Sequence, residues 1–244
     1  MGDAAAGRSL IADERADAVD IAPLDASFGR ALQLLDGIVG GDGALPAAEK
    51  HLMAVAAAAV RDPARCAVSV ERAVGCGATS TQLGGVALAV YLSRGAAPAR
   101  CVLAAARSVG ATVPTSGGAH PTDHHDRLDT DPILAEFRAV FGEVPDRVRL
   151  LAEHAPDALE AYHRMRVAVL RDGALPPRLA ELVLFGVNAA EHRGDFATVH
   201  ARGARRAGAS EAELVEAGVV AIEFGGVAAW LAASEAIVAT QSEN

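Results

Sequence analysis

The chain has 244 residues, with 22 Lys and Arg against 31 Asp and Glu and a formal net charge of −9. Hydrophobic residues make up 51% and aromatics only 4%, so a core must be built from Ala, Val and Leu within one large domain or two modest ones. No basic face accompanies this acidic balance, which argues against a nucleic-acid binder and for a soluble, cytoplasmic protein.

Residues 1–28 open with MGDAAAGRSLIADERADAVD, show no basic-then-apolar leader, and read as a flexible tail. Residues 29–112 read as a first helical unit. Pro46, in "DGALP", suits the first turn of a helix, and Gly77 suits a left-handed C-terminal cap. Thr79 and Gln82 make a capping box that starts the next helix. Cys66, Cys76 and Cys101 form no CxxC pair and no zinc spacing; they read as reduced core or surface thiols, with Cys66 solitary.

Residues 113–130 are a Gly-, Pro- and Asp-rich linker. His120, Asp123, His124, His125 and Asp126 fall here, but irregular spacing on a flexible segment favours a solvated linker, and no metal site is expected. Residues 131–242 form the second unit, led by "ILAEFRAVF" and "ALEAYHRMRVAVL" with helical periodicity. "DGALP" then returns at 172–176, offset by 130 from its first occurrence. "GATSTQL" at 77–83 is answered by "GASEAEL" at 208–214, and "GAA" at 95–97 by "GVA" at 226–228, both offset by 131. Three anchors in order argue for a duplication, each copy reading helix, turn, helix, tight Gly turn, helix, Gly break, helix. No period-2 strand pattern is evident, so the predicted fold is all-α, a duplicated helical bundle.

Polar residues break this pattern at few places. "HRGDFATVH", 192–200, joins two apolar helices. Phe196, Val199, Gly203 and Ala207 recur at helical spacing and predict the inward face, with His200 on or beside it and Arg202, Arg205 and Arg206 turned to solvent. Asp195 reads as the N-cap of this helix. His192 and Arg193, at the junction, either anchor an anionic substrate or face water. Glu181 lies in "LAELVLFGVNAA", and Glu223 is the one charged residue between Glu216 and Glu235. Residues 217–234 are nearly long enough to span a bilayer, but Glu223 and Gly225-Gly226 interrupt them and no basic flank follows, so a buried helix is expected and no membrane partner. A buried carboxylate costs several kcal/mol unless paired or protonated. Glu181 and His200 are therefore either a structural core pair, or a carboxylate orienting an imidazole for proton transfer beside a small pocket.

Glu181-Leu182, His200 with Ala204, Gly208-Ala209-Ser210, Glu213-Leu214 and Phe224-Gly225-Gly226-Val227-Ala228 carry a further signal. With a Glu-to-His spacing of nineteen, this second unit resembles the carboxymuconolactone decarboxylase superfamily, which also contains the alkylhydroperoxidase D-like peroxidases. Through the repeat the likeness extends over nearly everything after about residue 30. The peroxidase branch places a CxxC pair where this chain has Arg193 and Phe196; the first unit offers about Asp62 and Arg65 there. A thiolate nucleophile and its resolving thiol are thus missing, and a dithiol peroxidase is disfavoured.

The decarboxylase branch implies a lyase without metal or organic cofactor, acting on a small unsaturated carboxylic acid or lactone. It gives His200 the role of general acid/base and Glu181 that of orienting it. Arg193 would hold an anionic group, with His192, Glu223 and Asp195 as further substrate-binding candidates. In the first unit the counterparts are Lys50 or His51 and Ser69 or Val70, so no Glu–His pair assembles there. That unit reads as a structural partner from which His51 or Tyr91 could complete a pocket. The resemblance also implies a homo-oligomer, with a trimer favoured. The alternative is a non-catalytic ligand-binding or assembly member.

Overall fold

The computed structural model of the chain describes residues 22–115 and 129–241. A 3-10 turn (Ala22–Leu24) leads into α1 (Ala26–Gly40) and α2 (Ala47–Arg61). A second 3-10 turn (Pro63–Arg65) follows, then α3 (Cys66–Gly75), α4 (Ser80–Arg94) and α5 (Ala96–Ser108). Beyond the linker come α6 (Asp131–Phe141), α7 (Asp146–His154), α8 (Pro156–Leu170), α9 (Pro177–Ala190), α10 (Gly194–Arg206) and α11 (Glu211–Ala239). The described residues contain no strand, and the fold is all-α. Residues 1–21 of the expected tail, and the linker residues His120, Asp123, His124, His125 and Asp126, lie outside the described residues.

The two copies share backbone punctuation. Gly77 and Gly208 take φ of 94° and 93°, the left-handed turn that only glycine adopts cheaply. Thr79–Gln82 and Ser210–Glu213 each form the complete capping box. Gly95 separates α4 from α5 at φ 79°, ψ −166°, and Gly226 kinks α11 at φ 65°, ψ −164°. So α11 is the counterpart of α4 and α5 joined end to end. Pro46 and Pro176 fall one residue earlier than expected, at the N-cap, with ψ of 145° and 143°. In the first copy, Asp42 Oδ1 accepts from the Ala47 N–H at 2.8 Å, so the aspartate of "DGALP" caps the helix that the proline introduces. Its leucine is core in both copies, with Leu45 and Leu175 buried.

This geometry fixes the register that the one-residue slip leaves open. α2 and α9 start 130 residues apart, and the Gly turns after α3 and α10 lie 131 apart. His51 therefore stands opposite Glu181, and Ser69 opposite His200; both first-copy residues are buried.

Packing is dominated by methyl-sized side chains. α9 packs on α10, α11 and α2, and α2 on α3, α9 and α11. Ala54, Ala56, Ala57, Ala58 and Ala59 of α2, and Ala180, Ala189 and Ala190 of α9, are buried, which lets helix backbones approach closely. α11 is long and apolar enough, by length and composition, to cross a membrane; in the fold it bends at Gly226 and lies against α2, α9 and α10.

Charged ties then fix one copy on the other. Arg178 reaches Glu213 at 2.6 Å and Glu49 at 2.7 Å. Lys50 is 1% exposed; its ammonium donates to the Ile38 carbonyl at 2.6 Å and pairs with Glu216 at 3.3 Å. Arg94 of α4 pairs with Glu191 and donates to Asn188 Oδ1 at 2.9 Å, while Asn188 donates to the Leu184 carbonyl at 2.8 Å. The one polar residue of the α9 apolar stretch besides Glu181 is thus satisfied by its own helix and by the other copy.

A Cβ added to Gly226 would meet nothing within 4 Å, so substitution there meets backbone strain alone. Gly226→Ala is expected to destabilise the fold by about 1–3 kcal/mol, read as a shift in the denaturant midpoint with an unchanged slope.

Candidate functional site

Glu181 sits one turn into α9 and His200 midway along α10, and the α9–α10 contact brings them together. His200 Nδ1 and Glu181 Oε2 are 2.7 Å apart, with side chains 12% and 15% exposed. Gly203, one turn beyond His200, makes the room. A Cβ there would stand 2.5 Å from the carboxyl carbon of Glu181. The expected inward line of Phe196, Val199, Gly203 and Ala207 is therefore corrected. Ala197, Ala201 and Ala204 face the core, and Phe196 is 48% exposed. The helices approach so closely that only methyl groups fit between them, and the large ring is pushed to the open side.

A carboxylate can only accept, so Nδ1 is the donor to Glu181, and Nε2 is the ring nitrogen that Glu181 does not engage. The imidazole is held in one tautomer and orientation, and a positive charge on it would be balanced by the carboxylate. That is the chemistry of a positioned base that can later act as an acid.

The other candidate residues scatter. Arg193 is exposed, its guanidinium 4.6 Å above the Phe196 ring. Since Phe196 and His200 are one turn apart, Arg193, Phe196 and His200 follow one stripe of the helix. His192 has φ of 60°, and its Nε2 donates to the Gly225 carbonyl at 2.8 Å, so it clamps the backbone next to the α11 kink. Asp195 is not the N-cap. Arg193 holds that position without a side-chain bond, and Asp195 lies in the first turn, where its charge favours the helix dipole. Arg205, expected in solvent, is 8% exposed and donates to Thr240 Oγ1 at 3.1 Å, pinning the end of α11.

Glu223 belongs to a different cluster. Its side chain is 10% exposed and lies 3.9 Å from Arg65 Nη2, the guanidinium resting 5.0 Å from the Phe224 ring centroid. Burial pushes its carboxyl above the ordinary value of 4.5, with Asp36 adding to the rise and Arg65 and Arg72 opposing it. Asp36 and Arg72 pair at 2.7 Å. They also act on His51, whose imidazole is pushed below its usual range, first by burial and then by Arg72. His51 therefore answers to first-copy charges, and Tyr91 is 48% exposed. Asp36 and Arg72 carried no motif, since only the fold joins α1, α3 and α11. Gly203 did leave a trace, a glycine three residues after a histidine inside a helix.

Two outcomes follow. Gly203→Ala should cost about 1–3 kcal/mol in the wild-type background, and much less beside Glu181→Ala, where no carboxyl is displaced. A double-mutant cycle of unfolding free energies reads this coupling. Glu223 has a folded value above its unfolded one, so its protonation favours the fold below pH 4.5, and that contribution is lost as pH rises through the folded value. Glu223→Gln should therefore gain thermal stability relative to wild type as pH is raised from 4.5 to neutrality. A midpoint difference that stays flat across that range contradicts the assignment.

The family model described as "Carboxymuconolactone decarboxylase family" matches residues 156–239, which span α8 to the end of α11. Among solved structures, a protein of Burkholderia xenovorans LB400 provisionally assigned as a gamma-carboxymuconolactone decarboxylase subunit aligns over 98% of both chains, at 23% identity and a TM-score of 0.56. That likeness is one of fold. A second protein of the same organism, provisionally assigned as a carboxymuconolactone decarboxylase, is 32% identical over 45% of this chain and 86% of its own, with a TM-score of 0.40. A search of curated proteins gave no match. With the family pattern lying on the copy that holds Glu181 and His200, the chain belongs to the carboxymuconolactone decarboxylase and alkylhydroperoxidase D-like superfamily.

Proposed function

We propose that the protein is a lyase that decarboxylates a small unsaturated carboxylic acid or lactone without a cofactor, with His200 as the acid/base and Glu181 holding it. The observation that carries this reading is the 2.7 Å Glu181–His200 contact, set within the part of the chain that matches the family model. In such a reaction the bond to the carboxylate breaks, carbon dioxide leaves, and the electron pair flows into a conjugated carbonyl as an enolate. His200 Nε2 takes up the proton of the substrate's carboxyl group before the bond breaks, Glu181 stabilises the resulting imidazolium, and the enolate carbon then takes that proton from Nε2. Arg193 supplies an exposed cation for an anionic group, and Phe196 an apolar wall one turn from the histidine. Arg193 and Phe196 occupy the places of the peroxidase thiols, and neither can act as one.

Association of copies fits the exposed apolar side chains Val227, Leu231 and Val238 on α11 and Phe28, Leu34 and Ile38 on α1. A second reading rests on the burial of the pair, which would also suit a core tie in a non-catalytic member.

The two readings separate in one experiment. A panel of unsaturated carboxylates and lactone acids is assayed for carbon dioxide release and for solvent deuterium entering the product carbon. On the catalytic reading, His200→Ala lowers kcat/KM by about 10²–10⁴-fold, and Glu181→Gln, which still offers Nδ1 an acceptor, lowers kcat with thermal stability near wild type. A structural pair would instead lose about 3–5 kcal/mol of folding stability, with no turnover to lose.

A further inference from the structure

The sequence sets Cys66 and Cys101 thirty-five residues apart, and the fold brings both to the Pro63 carbonyl. Cys66 opens α3 and is buried, Cys101 lies on α5 and is half-buried, and α3 packs on α5. The Cys101 thiol donates to the Pro63 carbonyl at 3.8 Å, and the Cys66 backbone N–H donates to that same carbonyl, so the two cysteines meet at one oxygen of the 3-10 turn. Cys76, the remaining cysteine, is exposed at the far end of α3. The expectation of a solitary Cys66 is thereby corrected, because residues remote in sequence meet across a helix pair.

We propose that Cys66 and Cys101 form a reversible disulfide when the protein meets a hydroperoxide, a redox latch between α3 and α5 of the first copy. The two thiols differ in their roles. Burial, reinforced by the neighbouring sulfur, pushes the Cys66 thiol far up, so it stays protonated and waits. Cys101 has the solvent access and is the attacking sulfur. Its thiolate attacks the peroxide, the O–O bond breaks, and the leaving alkoxide or hydroxide takes a proton to give alcohol or water. Cys101 is left as a sulfenic acid. The Cys66 sulfur then displaces its hydroxyl and gives up its own proton, so that water departs and the S–S bond closes. Two thiols and one hydroperoxide thus yield one disulfide, one alcohol or water molecule, and one water.

The latch has a local consequence. Arg65, the residue before Cys66, reaches Glu223 and Phe224 of α11. A bond at Cys66 therefore fixes the turn through which the first copy grips the second. No atom of the Glu181–His200 pair takes part, so this inference does not depend on the proposed decarboxylation.

The test uses the full chain carrying Cys76→Ser. It is treated with hydrogen peroxide, quenched in acid, unfolded and alkylated. The expected product is a monomer lighter by two hydrogens, resistant to alkylation, and yielding a single Cys66–Cys101 cross-linked peptide. Dithiothreitol should restore two alkylatable thiols, and the oxidised form should melt at a higher temperature than the reduced one. Adding Cys101→Ser should leave Cys66 alkylatable after the same treatment. Cys66 remaining a free thiol while Cys101 goes on to sulfinic acid, or a cross-link joining two chains, overturns the proposal. So does a lower melting temperature on oxidation, since the bond would then have to distort the helix pair.

Discussion

A carboxylate drawn out of water between two helices is the constraint around which the C-terminal copy is arranged. Glu181 has no room against α10 unless residue 203 lacks a side chain, and no compensation unless a donor meets its oxygen. Gly203 supplies the space and His200 the donor, both from one face of α10. The close helix approach that creates the problem depends on the buried line Ala197, Ala201 and Ala204. Larger residues on that line would part the helices, let water reach the carboxylate and release the imidazole. The low aromatic content of the chain is thus part of the site's construction. Small side chains put a rigid acid/base pair where bulky ones would leave a loose pair.

The first copy shows the same frame put to another use. His51 stands at the place of Glu181 and Ser69 at that of His200, so the frame is kept and the carboxylate–imidazole pair is absent. Lys50, next to His51, turns its ammonium to the Ile38 carbonyl and to Glu216. Glu216 in turn accepts from the backbone N–H groups of Ala44 and Leu45, at 2.7 Å and 2.9 Å. Its carboxyl is held below the ordinary value by these bonds and by Lys50, which together outweigh its desolvation. Charges in this half thus clamp loops and the partner copy.

Much of the fold was legible because duplication leaves local marks. Gly77 and Gly208, Gly95 and Gly226, and the two capping boxes are residues whose backbone role depends only on near neighbours. The Glu181–His200 contact was legible for a related reason, since a buried acid needs a partner and few were on offer. What stayed hidden depends on contacts between distant segments. The inward face of α10 is not readable from sequence, because Phe196 looks like core until the width of the α9–α10 gap is known. Glu223 reads from sequence as a candidate of the second-copy site, whereas its neighbours Arg65, Asp36 and Arg72 come from α1, α3 and the turn between α2 and α3. Cys66 and Cys101 carry no spacing signal, because helix packing and not a motif joins them.

The asymmetry between the copies follows from where burial is tolerable. Two copies with buried carboxylates would need two compensated acid–base pairs within one alanine-rich core, each at a desolvation cost of several kcal/mol. The C-terminal copy bears that burden, at Glu181 against His200 and at Glu223 beside Arg65. The other spends its charges on Arg94, Lys50 and Glu49, which bind α9 and α11 from outside the site. Since α9 carries Glu181, fixing α9 from the first copy also fixes the carboxylate relative to α10. The N-terminal half thus sets the geometry of the Glu181–His200 pair without touching it. It holds the helix that holds the carboxylate that holds the imidazole.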